Sequence, residues 1–111
     1  MSPLHKPVAW LHGEIKSPPF SQIARLEVGF LLRCLQAGET LSMPHARPMP
    51  TIGSHCYELR VQDLDVTWRI IYRIDKDAIV IVEVFNKKTN QTPKRVIDVC
   101  KTRLKHYDSI G

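Results

Sequence analysis

Three consecutive stretches of alternating residues, joined by links of three residues each, constrain this chain more than anything else in it. Cys56 to Gln62 sets Tyr57, Leu59 and Val61 against Glu58, Arg60 and Gln62. Val66 to Ile74 sets Val66, Trp68, Ile70, Tyr72 and Ile74 against Thr67, Arg69, Ile71 and Arg73. Ala78 to Asn86 sets Val80, Val82 and Val84 against Ile79, Ile81, Glu83 and Phe85. A period of two is the mark of a strand. Links as short as Asp63-Leu64-Asp65 and Asp75-Lys76-Asp77 leave no room for a crossover, so the three strands form an antiparallel meander.

The flanking segments read as helices and one long loop. Val8 to Leu11 has strand character and Gly13 ends it; Pro18-Pro19 separates that piece from the next segment. From Phe20 to Ala37, Gln22, Arg25, Gly29, Arg33 and Gln36 form one narrow polar stripe, set against Ile23, Leu26, Phe30, Leu31, Cys34 and Leu35. This pattern predicts a helix that is mostly covered, with Gly38 as its stop. Residues 41–54 form a proline-rich loop carrying His45 and Arg47. Thr92-Pro93 opens a last helix, the hydroxyl as N-cap and the proline at the first helical position. Ile97, Cys100, Leu104 and Tyr107 share one face of that helix, and Lys94, Lys101 and Lys105 another. The expected architecture is α+β: an antiparallel meander packed against an N-terminal helix, with a basic C-terminal helix.

With 111 residues, the chain is expected to form a single domain over 1–111. An apolar fraction of 43% beside 24% charged residues is that of a globular protein. The longest apolar run, Ala78 to Val82, is far below the roughly 20 residues of a membrane span, and no export signal is legible, so no membrane partner is expected. Three scattered cysteines, Cys34, Cys56 and Cys100, suit neither a metal motif nor a disulfide framework. They read as small core residues of a reduced, cytoplasmic protein with no metal and no cofactor. Sixteen Lys and Arg against eleven Asp and Glu give a net charge of +5, which favours a polyanionic partner.

Strand parity locates that charge. With Trp68 and Tyr72 turned into the core, Arg69 and Arg73 point the other way, joined by Glu58, Arg60, Glu83 and Phe85. The expected result is a sheet with one apolar face and one basic face. Ile71 and Phe85 stand out among its charges, and guanidinium groups beside a ring suit RNA.

Three stretches together resemble the RelE superfamily of toxins from bacterial toxin–antitoxin pairs, and most of all its HigB-like, phage-derived branch. They are Tyr57-Glu58-Leu59-Arg60, Trp68-Arg69-Ile70-Ile71-Tyr72-Arg73, and Phe85-Asn86-Lys87-Lys88-Thr89 followed by Gln91-Thr92-Pro93. The resemblance runs over roughly residues 20–107. It implies an mRNA endonuclease acting at the ribosome, inhibiting translation and neutralised by a helix-turn-helix, HigA-like antitoxin. It also implies phosphate-handling roles for Arg60, Arg69 and Arg73, and for Lys87 and Lys88. A lysine of the best-known members is replaced by Glu58, and their tyrosine near the last helix by Thr92-Pro93.

For such chemistry arginines stabilise charge at phosphorus but are poor bases, which leaves His55, His45, Glu58 and Glu83 for proton transfer. The expected catalytic set is Arg60, Arg69, Arg73, Lys87, Lys88 and His55, the last standing nearest the basic end. Phe85, Arg47, His45 and Lys94 are expected to contact RNA, and Glu58 and Glu83 to hold the arginines in place. The alternative is a catalytically inactive RNA- or ribosome-binding module of the same fold.

Overall fold

A computed structural model describes residues 5–11, 20–86 and 91–110. The elements run β1 (Val8–Trp10), α1 (Gln22–Gln36), β2 (Ala46–Pro48), β3 (Cys56–Asp63), β4 (Val66–Ile74), β5 (Ile79–Asn86) and α2 (Lys94–Ile110). They form one five-stranded sheet in the order β1-β5-β4-β3-β2. The expected meander is there as β3-β4-β5, antiparallel throughout, and β1 joins its far edge in parallel with β5. This is an α+β architecture. Gly13, Pro18, Pro19, Lys87, Lys88 and Thr89 lie outside the described residues.

Helix α1 starts where Ser21 caps it, the hydroxyl accepting from the Ala24 N–H at 3.1 Å. Ser21 is itself anchored, because its backbone N–H donates to Asp63 Oδ2 at 2.9 Å. Just past the C-cap Ala37, Gly38 takes φ 92°, a left-handed conformation that glycine adopts without steric cost.

Both faces of the sheet are covered. On one, Ala24, Val28, Leu31, Leu32 and Leu35 of α1 pack on Leu59, Val61, Trp68, Ile70, Tyr72, Ile79, Ile81 and Val84. On the other, Val96, Cys100 and Leu104 of α2 pack on Cys56, Ile71, Ala78, Val80 and Val82, with Phe85, Ile97 and Tyr107 at the margin. The face expected to be basic and open is therefore largely a second core. Ile71 and Phe85 sit among its charges because α2 lies over them. Cys56 and Cys100 belong to this core, and burial pushes the Cys100 thiol up to about 12.

Strict alternation fails once, in β5. The register slips between Ile71, which pairs with Glu83, and Tyr72, which pairs with Ile81. One extra residue in β5 flips the parity on either side of it. Val84 consequently joins Ile79 and Ile81 beneath α1, whereas Val80 and Val82 face α2.

Two further expectations are corrected. The loop over residues 41–54 contributes an edge strand, β2, paired antiparallel with β3. Helix α1 is covered on one side only: Ile23, Leu26 and Phe30 are 79%, 67% and 58% exposed.

Candidate functional site

The β2–β3 pairing sets Arg47 directly opposite Glu58, and the β3–β4 pairing sets Arg60 opposite Arg69. Four residues from two neighbouring rungs thus meet at one end of the α2-covered face. Glu58 is the hub. Its Oε1 accepts from Arg47 Nε and from Arg69 Nη1, both at 3.0 Å, and its Oε2 accepts from Thr92 Oγ1 at 2.9 Å. The Glu58 side chain is 0% exposed. A carboxylate can be buried so completely because both oxygens are hydrogen-bonded and two guanidinium groups share its charge.

Arg69 is buried with it. Burial pulls the guanidinium below the ordinary arginine range, Glu58 pulls it back up, and nearby Arg60 and Arg47 push it down again. That mutual influence means three cations crowd around one anion. Arg47 and Arg60 are half-buried and reach the surface. A pocket of about 410 Å³ opens beside Arg47, walled further by Pro48, Met49, Pro50, Thr51, Gln91, Thr92 and Ile97. Helix α2 begins next to Thr92, so the positive end of its dipole adds to the field there. The arrangement suits a phosphate: clustered guanidinium groups, a donor fixed in place by a buried carboxylate, and an apolar wall.

His45 sits at this end too, its backbone carbonyl accepting from the Arg60 N–H at 2.8 Å. Helix α2 starts one residue later than expected, running from Lys94, and the Pro93 carbonyl accepts from the Val96 and Ile97 N–H groups. Pro93 thus stands at the cap and not at the first helical position, and the Thr92 hydroxyl donates to Glu58. Lys94, at the first turn of α2, is exposed and paired with Asp98 at 2.9 Å.

The rest of the expected set is elsewhere. Arg73 is four residues from Arg69 along β4, roughly 13 Å away at the strand rise, with Ile71 and α2 in between. Asp75 holds it through Nε at 2.6 Å and Nη2 at 2.9 Å, and Asp108 through Nη1 at 3.0 Å and Nη2 at 2.7 Å. The Tyr107 ring lies 5.9 Å from its guanidinium carbon. These carboxylates raise the Arg73 pKa, and Arg73 holds Asp108 below the usual carboxylate range. Arg73 is a clamp fastening the C-terminal half of α2 to the sheet.

His55 belongs to that far end, correcting its expected position beside the basic cluster. It shares a pocket of about 620 Å³ with Arg73, Asp75, Lys101, Lys105 and Asp108. Glu83 is bonded to Arg103 Nη1 at 3.1 Å, a residue the sequence did not single out. Phe85 is half-buried at the margin of the α2 core. Lys87 and Lys88 lie outside the described residues. Alternation within Ala46-Arg47-Pro48 was the one sign that Arg47 sits on a strand, and three residues are too few to distinguish a strand from a loop.

The two strand motifs and the Thr92 segment, brought together here in space, also lie within the stretch that a family model matches. It covers residues 19–105 and is described as phage-derived protein, Gp49-like (DUF891). The chain belongs to this Gp49-like family. The family is RelE- and toxin-like, which agrees with the resemblance of the strand motifs at that coarser level. No curated protein matches the chain. Among the described residues of this Gp49-like chain, no helix is long and apolar enough to cross a membrane, and no group of three His, Cys, Asp or Glu side chains could hold a metal ion.

Proposed function

We propose that this chain is the toxin of a type II toxin–antitoxin pair, a HigB-like mRNA interferase that cuts message on the ribosome in the cytoplasm. The observation that carries this reading is the Glu58 hub, which holds Arg47 at the wall of an open pocket, with Arg60 beside Arg69. In the proposed reaction the 2′-hydroxyl of a nucleotide loses its proton and O2′ attacks the adjacent phosphorus. The P–O2′ bond forms, the P–O5′ bond breaks, and O5′ takes up a proton, leaving a 2′,3′-cyclic phosphate and a 5′-hydroxyl.

Arg47 and Arg60 stabilise the charge that develops on the phosphoryl oxygens. Arg69 and Glu58, both buried, are positioning residues that hold Arg47 at the angle the phosphate needs. His45, whose backbone carbonyl accepts from the Arg60 N–H, is the proton-transfer group at this end.

Inducing the chain alone in a bacterium tests this directly. Growth arrest with new mRNA 5′ ends bearing a hydroxyl is expected, and arrest-free growth with abundant soluble protein refutes it. A second reading, a binding module without cleavage, is favoured by the burial of Arg69 and the half-burial of Phe85. Ribosome association with no new 5′ ends would select it.

A further inference from the structure

Outside a narrow polar stripe and Glu27, the sequence of α1 is apolar, yet the sheet covers only one side of it. The buried side is Ala24, Val28, Leu31, Leu32 and Leu35. The opposite side carries Ile23, Leu26 and Phe30, all more than half exposed, and then Cys34, half-buried. Their spacing of three, four and four residues makes one continuous ridge along the helix. Scattered exposed apolar residues are ordinary; an aligned row of large ones marks a contact surface.

A second observation is independent of the helix. Leu64, at the tip of the β3–β4 hairpin, is 88% exposed and has φ 53°. Glycine or asparagine suits that left-handed position, and a leucine there bears conformational strain while hiding no surface within the chain. Its neighbour Asp63 is bonded to the N-cap of α1, so the tip stands at the end of the helix from which Ile23 projects.

Charge selects the occupant. Arg33 lies along the margin of the ridge, its Nη1 3.4 Å from where a Cβ on Gly29 would be, so the glycine makes room for it. Arg25 is also exposed, and Glu27 is the only acidic residue of the helix. A second copy would bring arginine toward arginine and one +5 chain toward another. We propose that the α1 ridge and Leu64 dock an acidic amphipathic helix of a separate protein, whose apolar residues at matching helical spacing pack between Ile23, Leu26 and Phe30. This rests on the toxin reading above, with the docked protein as its antitoxin.

The probe is the small protein encoded by the reading frame next to this chain, titrated calorimetrically against the full chain. Leu26→Glu with Phe30→Glu is expected to weaken binding at least 100-fold while growth arrest by the chain alone is unchanged. Leu64→Asn is expected to raise the melting temperature of the free chain yet weaken the complex about tenfold, opposite signs that a merely structural role would not give. Unchanged affinity in both variants overturns the proposal while leaving the nuclease reading intact, as does a neighbour that fails to bind a chain that still arrests growth. A concentration-dependent homodimer abolished by Leu26→Glu overturns it in favour of a second copy. Absence of growth arrest removes the reading beneath it.

Discussion

The two ends of the α2-covered sheet face use the same residue type in opposite proportions. At one end a single buried carboxylate, Glu58, serves two guanidinium groups, with Arg60 close by. At the other a single guanidinium, Arg73, is held by two carboxylates. The first arrangement gathers guanidinium groups and opens onto a pocket at Arg47. The second uses its cation internally and joins a helix to a sheet. An arginine is an anion receptor or a structural tie according to how many carboxylates surround it, and neighbouring sequence does not announce the number.

Removing the hub gives the largest expected effect. Glu58→Ala leaves Arg69 buried without its counter-charge and is expected to cost about 3–5 kcal/mol, read from urea unfolding. Next comes Arg60→Ala, expected to lower mRNA cleavage by about 10²–10³-fold, with stability within about 0.5 kcal/mol of the unaltered chain. Arg73→Ala is expected to do the reverse, costing about 1–2 kcal/mol of stability while the folded fraction still cleaves RNA. Loss of cleavage in a fully folded Arg73→Ala protein would erase the distinction between the two ends.

The smallest effect sharpens the comparison by pH. Arg73 depresses the pKa of Asp108, so this group's contribution is fully present above its unfolded value of about 3.9 and is lost as pH falls through the folded value. Because Asp108 is exposed, Asp108→Asn is expected to cost less than about 1 kcal/mol. Urea midpoints measured from pH 6 downward should show that deficit vanishing in acid.

Much of the fold was legible. The meander, its face parity in β3 and β4, both helices and the glycine stop of α1 follow from residue period and turn chemistry. The bulge in β5 was not, because Val82-Glu83-Val84 alternates as well as any regular strand and the slip is set by pairing with β4. Of the site, Glu58, Arg60, Arg69 and Arg47 could be named in advance. That Thr92 donates to Glu58 could not, since 34 residues separate them in the chain. The resemblance supplied the strand motifs but not the half-burial of Phe85.

By itself the sequence determined which residues alternate, which are charged and where the chain turns, since these depend on contacts between near neighbours. Only the tertiary structure decided which way α2 lies across the sheet. That one docking converts a supposed open basic face into a core, divides its arginines between the Glu58 cluster and the Arg73 clamp, and leaves Ile23, Leu26 and Phe30 on the far side of α1 exposed. The reason is physical: a helix buries whichever face the assembled sheet offers, and that choice rests on packing between residues far apart in the chain.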